Sequence, residues 1–181
     1  SSFSRLCLKE NGVSEVRLTG AAHHNVLSDL DVDGMTQDMF GRDSCGHRSR
    51  EAVLIAGSPV CLGGAGAVPD HNQIVRIDAD VAPAWDGGGT SYGVLIGLAS
   101  DTSIHGVEIG SVTTREAVRI AGRDSQTCAT EMTDSTGTVI TGNNLHATIA
   151  GVHLFRELGD PGAPTNVTVS CNTISTSLDG V

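Results

Sequence analysis

Large rings are nearly missing from this chain: one Trp, one Tyr and three Phe bring aromatics to 3% of 181 residues. Long helices packed around a centre of rings and Leu fit that composition poorly. Basic side chains are also scarce, 11 Lys and Arg against 21 Asp and Glu, for a net charge of −10. A field of that sign repels phosphate backbones and anionic membranes, so nucleic acid is not an expected partner. Solubility is the plainest reading of the charge. Long apolar runs are missing too. Val94 to Ile96, followed by Gly97, Leu98 and Ala99, is among the longest, and it is far too short to insert in a bilayer. The five cysteines, at 7, 45, 61, 128 and 171, contain no CxxC spacing for a metal. Cys45 and Cys61 lie in turn-rich segments flanking one strand and are the disulfide candidates, with reduced thiols as the alternative. The chain has no initiator Met and no charged-then-apolar leader, so any targeting segment is expected to have been removed or never included.

What is present is Val, Ile, Ala and Leu, 23 Gly, and many Ser and Thr, a mixture suited to short strands joined by tight turns. The pattern repeats. Arg50-Glu-Ala-Val-Leu-Ile-Ala-Gly57 returns 65 residues later as Arg115-Glu-Ala-Val-Arg-Ile-Ala-Gly122, with seven of eight positions the same. Its frame, a small residue then Val-x-apolar, recurs at Tyr92-Gly-Val-Leu-Ile96 and Ala150-Gly-Val-His-Leu154, and begins again at Asp179-Gly-Val181. A second frame precedes each copy. Aligning Leu27, Ile74, Ile104, Ile140 and Val169 gives spacings of 47, 30, 36 and 29, the range of a repeat architecture with loops in the longer intervals.

Alternation within the frames has period two. Val53 and Ile55, Val94 and Ile96, Val118 and Ile120, and Val152 and Leu154 are expected inside. Leu54, Leu95, Arg119 and His153 are expected outside. A helix over 114–122 is locally plausible, yet Val139-Ile-Thr-Gly and Val167-Thr-Val-Ser in neighbouring repeats exclude it as the shared unit. The sequence therefore predicts one all-β domain over 1–181, a solenoid of parallel strands stacked at about 4.8 Å. Asn143, Asn144 and Asn172 are expected at turns, with left-handed backbone and hydrogen bonds to the next repeat. Loop insertions are expected at about 34–49, 58–70, 82–91 and 157–164. Met39, Phe40 and Trp85 from these loops are expected to cover the outward strip of Leu54 and Leu95.

These units, with Asn166-Val-Thr-Val-Ser-Cys-Asn-Thr-Ile-Ser175 followed by Asp179-Gly-Val181 as the clearest copy, resemble the right-handed parallel β-helix, or pectin-lyase-like, superfamily. The resemblance covers about 25–181 and implies the fold. It leaves function open, because polysaccharide lyases, hydrolases, epimerases, tail spikes and structural proteins share that fold. His105-Gly-Val-Glu-Ile-Gly-Ser111 looks like a polygalacturonase segment. The accompanying Asn-Thr-Asp and Asp-Asp segments are missing, and Arg119-Ile-Ala is a poor match to Arg-Ile-Lys. Inverting hydrolysis needs two carboxyls roughly 6.5–9.5 Å apart, which this stretch does not supply, so His105 reads as a solvent-facing strand residue.

The densest polar cluster is His23, His24 and Asn25 with Asp29, Asp31 and Asp33. Carboxylates at alternate positions of a strand share a face that suits Ca²⁺, and the adjacent histidines also permit Zn²⁺; no cofactor is otherwise required. The competing reading is a solvated acidic edge. In a lyase, Asp29, Asp31 and Asp33 would hold the ion and a basic residue such as Arg76 would take the proton. Trp85, His105, Arg119 and His153 are the side chains offered to a ligand. Glu51 and Glu116 fall at one repeat position, which reads as structural, and Asn166-Val-Thr168 is a glycosylation triplet in a secreting eukaryote.

The leading expectation is a secreted or cell-surface scaffold or binding module for polysaccharide. A lyase or hydrolase using residues 29–33 is the alternative, and a self-assembling structural element the third. Because Leu178-Asp-Gly-Val181 begins a strand that earlier copies complete, the stack is expected to be truncated, continuing in a longer chain or associating end to end. Far-UV circular dichroism should be β-dominated; a helical spectrum would exclude the repeat reading.

Overall fold

The computed structural model describes residues 1–4, 7–9, 14–33, 49–57, 66–80, 90–110, 114–121, 135–155 and 163–177. Their regular elements are all strands. In chain order these are β1 (Ser2–Ser4), β2 (Cys7–Lys9), β3 (Ser14–Thr19), β4 (Val26–Asp33) and β5 (Ser49–Ala56). Next come β6 (Gln73–Asp80), β7 (Thr90–Gly97), β8 (Ser103–His105), β9 (Glu108–Gly110) and β10 (Glu116–Ala121). The last are β11 (Val139–Thr141), β12 (Asn144–Ala147), β13 (Ala150–Phe155), β14 (Thr168–Ser170) and β15 (Thr173–Thr176). Ser49, Thr90 and Ser91, expected in loops, belong to strands because they extend the ladder between β5 and β7. Most of the expected insertions fall outside the described residues, as do Met39, Phe40, Trp85, Cys45 and Cys61.

Hydrogen bonding sorts the strands into two sheets. One runs β14-β11-β8-β6-β9-β12-β15, with β4 pairing to β1, β2 and β6; the other runs β13-β10-β7-β5-β3. Every strand pairing among the described residues is parallel. Partners come from consecutive passes of the chain, which alternates between the sheets. Parallel strands need such long returns, since a two-residue hairpin only joins antiparallel ones.

Register turns the repeat into columns. Leu27 pairs with Ile74, Ile74 with Ile104, Ile104 with Ile140, and Ile140 with Val169. Val32, Ala79, Ile109, Leu145 and Ile174 make a second column. In the other sheet Val16, Val53, Val94, Val118 and Val152 align, as do Leu18, Ile55, Ile96, Ile120 and Leu154. The inner members are fully buried in one continuous core. Leu154 departs from its expected burial: it is 49% exposed, because no described strand lies over β13. Val169 and Ile174 are half-exposed for the same reason. Leu54 departs the other way. It faces outward but is only 8% exposed, while Leu95 is half-buried.

The passes bend at fixed places. Asp29, Arg76, Gly106, Gly142 and Cys171 form a column of left-handed residues, and His24, His71, Asp101, Gly137 and Asn166 form another. The expected left-handed asparagines are therefore displaced by one position: Gly142 and Cys171 take the positive φ, and Asn143 and Asn172 follow them. The bend leaves inward peptide groups without ladder partners, and a buried asparagine amide satisfies them. Val107 N donates to Asn143 Oδ1 at 2.8 Å, Asn143 Nδ2 to Asn172 Oδ1 at 2.9 Å, and Asn172 Nδ2 to the Ile140 carbonyl at 2.9 Å. Asn25 and Asn72 repeat the device, with Asn25 Nδ2 donating to Asn72 Oδ1 at 3.0 Å. Asn144 is outside this ladder and donates to Glu108 Oε1 at 3.3 Å.

The small-residue-then-Val frame marks a bend in the second sheet. A Cβ added at Gly93 would lie 2.6 Å from the Ala117 carbonyl oxygen and 2.7 Å from Ile109 side-chain atoms. One at Gly151 would strike Ile174. The Ala52, Gly93, Ala117 and Gly151 positions thus face the core together with the Val that follows each. The residues on either side of the pair are thrown outward.

Replacing Ile104 by Ala should cost roughly 2–5 kcal/mol in urea unfolding, from lost transfer energy and the cavity left in the column. Thr102, whose buried Oγ1 has no hydrogen-bond partner, should behave oppositely: Thr102→Val is expected to be neutral or stabilising by about 1 kcal/mol. A clear loss at Thr102→Val would contradict the environment described for that hydroxyl.

Candidate functional site

On the outer side of the second sheet, Arg17, Leu54, Leu95, Arg119 and His153 stand in one register column. Glu51, Tyr92, Glu116 and Ala150 stand in the neighbouring one, just before the bend. Stacking at strand spacing forces Arg119 on β10 next to His153 on β13, while the bend brings Glu116 and Tyr92 up beside them. Arg119 Nη1 donates to Tyr92 Oη at 2.6 Å. Its guanidinium carbon lies 3.8 Å from the Phe155 ring centre and 5.0 Å from that of Tyr92. Both rings offer their negative faces to the cation.

Two nitrogens converge on one carboxylate oxygen. Glu116 Oε2 is 3.6 Å from Arg119 Nη1 and 3.1 Å from His153 Nδ1, close contacts without the alignment of hydrogen bonds. The His153 ring meets Phe155 edge-on, with centres 5.6 Å apart. Burial grades across the cluster: the Glu116 side chain is 5% exposed, Arg119 13% and His153 38%. A buried anion therefore holds a cation in place, that cation props up an aromatic ring, and the ring and imidazole form the open end.

Two of the four expected ligand-facing residues, Arg119 and His153, are brought together here. His105 is elsewhere: it is exposed at the end of β8, with Nδ1 2.9 Å from the Thr141 carbonyl oxygen. Trp85 lies outside the described residues. Tyr92, Glu116 and Phe155 were not among the expected ligand residues. Glu116 read as structural because Glu51 shares its repeat position, yet Tyr92 shares it too, and that one aromatic was the available signal.

The aspartates are arranged differently from expectation. Asp29 does not stand on an even strand face but at a left-handed bend, φ 54°, and is forked by the next pass's Arg76. Nε donates to Oδ1 at 2.6 Å and Nη2 to Oδ2 at 2.8 Å. The hydrogen bond that Arg76 donates to Asp29, and then the Asp29 charge, raise the Arg76 pKa, so this guanidinium is a poor proton acceptor, unlike the base a lyase would need. Asp31 is exposed, in register with Asp78, which is in register with Glu108; Asp33 is in register with Asp80. Among the described residues, the donors that converge are those of His23, His24 and Asp70, without Asp29 or Asp31.

No family model matches the chain, and no curated protein matches it. Among solved structures it is similar to the crystal structure of the periplasmic alginate epimerase AlgG, with a TM-score of 0.35 and 8% identity. That match covers 95% of this chain, which spans 40% of the epimerase chain.

Truncating Arg119 to Leu should destabilise the protein by roughly 3–5 kcal/mol, because Glu116 then stays buried without its cation. Replacing both Arg119 and Glu116 by Leu should recover most of that loss in urea unfolding. Additive costs of the two single replacements would show that the pair is not coupled.

Proposed function

We propose that the chain is part of a right-handed parallel β-helix, secreted or displayed at a cell surface, that binds polysaccharide without transforming it. The observation that carries the binding reading is the Phe155–Arg119–Glu116 stack, with His153 at its open end. A pyranose ring has an apolar face of C–H groups and a rim of hydroxyls. An aromatic ring fixed from behind by a cation suits the first, and a half-exposed imidazole suits the second. The rigid sheet beneath supplies preorganisation, so little ordering entropy is lost on binding.

Parallel ladders and in-register columns support the β-helix reading, because each pass lies on the one before it. The lyase alternative draws no comparable support. Its candidate base, Arg76, is held cationic by Asp29, and the Asp29–Asp33 stretch does not gather its described donors on one point. Secretion accords with a rigid, acidic, β-rich chain, and polysaccharide accords with a site that is part aromatic and part polar.

Affinity electrophoresis of the full chain through gels containing neutral and uronate polysaccharides tests the reading. Retardation by at least one polymer is expected, with Phe155→Ala weakening it about tenfold, or 1.4 kcal/mol. Phe155→Tyr should retain most of the binding. Absence of retardation by every polymer, or retardation indifferent to Phe155→Ala in a folded variant, would overturn it. Release of unsaturated uronate, seen as new ultraviolet absorbance and lost in Asp31→Ala, would establish the enzyme instead.

A further inference from the structure

A second cluster stands at the corner where each pass enters the first sheet. The same two positions recur there: His23-His24, Asp70-His71, then Ser100-Asp101. His23 bridges to Asp70 and Asp70 to Ser100. His24 and His71 both take left-handed backbone, φ 51° and 50°, which swings their rings out over one another. The rings stack with centres 4.9 Å apart and planes 5° from parallel. Backbone bonds pin the corner, His24 N to the Asp70 carbonyl at 3.1 Å and Asp70 N to the Ala22 carbonyl at 3.2 Å. The buried Asn25–Asn72 ladder lies just inside.

We infer that this corner is a binding site for Zn²⁺, with His23, His24 and Asp70 as ligands. His23 Nδ1 and His24 Nδ1 are 3.3 Å apart, and an oxygen of Asp70 lies within 4.8 Å of the donor atoms of both. A tetrahedral ion with Zn–N bonds of 2.0–2.1 Å has ligand atoms about 3.3 Å apart, so the imidazole pair already spans one edge of the coordination shell. Two imidazoles and a carboxylate are a donor set for a borderline first-row cation, not for Ca²⁺.

The next shell is present as well. His71 Nδ1 is 3.4 Å from Asp70 Oδ2, and its Nε2 is 3.9 Å from Asp101 Oδ2, so His71 stands beside the ligating carboxylate, where a second-layer partner would orient it. His23 and His24 are exposed, which leaves the remaining coordination position to solvent or to a ligand. Metal-free, the 3.3 Å contact is an N–H···N bond between the imidazoles. The site does not depend on the polysaccharide reading and lies on the other sheet.

Isothermal titration of the chelator-treated chain with Zn²⁺ alone tests the inference, with Co²⁺ as a spectroscopic substitute. One ion per chain is expected, and Co²⁺ should give the visible bands of a four-coordinate site. His24→Asn, chosen because Asn accepts left-handed backbone, and Asp70→Asn should each weaken Zn²⁺ by more than about 100-fold. His71→Asn should weaken it by about 10–100-fold. His146→Ala should leave affinity unchanged. Zn²⁺ should raise the unfolding midpoint of the parent and of His146→Ala but not of His24→Asn. No uptake by the folded parent, or uptake reduced equally by His146→Ala, would overturn the site. If His24→Asn fails to fold, Asp70→Asn and His71→Asn decide by the same measurements.

Discussion

A single pass of this chain has almost no interior, so its apolar side chains are protected only when an equivalent pass lies against them. That dependence makes register the controlling constraint. Ile74 is buried because Leu27 and Ile104 flank it in the ladder, and Ile104 because Ile74 and Ile140 do. A slip by one residue would turn the whole column out to water. The asparagine ladders act against such slips, since each amide fits only its own counterpart and leaves buried peptide groups unsatisfied elsewhere.

The same constraint shapes the exterior. Whatever the outward positions carry is multiplied along the stack at strand spacing. Equal charges brought together must then be offset, and Asp29 meets Arg76 where the next pass supplies a cation. Asp31, Asp78 and Glu108 lie on one line, all three exposed to solvent. Beneath the Arg119 cluster the opposite arrangement holds: one buried anion, Glu116, is met by the Arg119 guanidinium and the His153 imidazole.

The core was legible because apolar columns follow from simple alternation. The alignment of Leu27, Ile74, Ile104, Ile140 and Val169 is the one the ladders contain. The small-Val frame was legible as a repeat but not as a bend, since a glycine in a sequence does not say which neighbour it must clear. The site was only half legible. Arg119 and His153 stand out because they replace Leu at an outward position, whereas Phe155 gains its role from a contact across passes that no spacing reveals, and Glu116, three residues before Arg119 on the same strand, was masked by sharing its repeat position with Glu51. The aspartate run misled because Asp29 occupies a bend, where strict alternation no longer holds.

The bends also divide the chain into stretches whose length is fixed and stretches whose length is free. Between its two inward columns every pass of the first sheet covers the same distance, Leu27 to Val32, Ile74 to Ala79, Ile104 to Ile109, Ile140 to Leu145 and Val169 to Ile174. The link from the first sheet to the second obeys no such rule: only Thr148 and Ile149 separate β12 from β13, whereas residues 34–48 separate β4 from β5. Insertions acquired over evolutionary time, or grafted by an engineer, therefore belong at those links. There a new peptide can be displayed without shifting any layer against its neighbours.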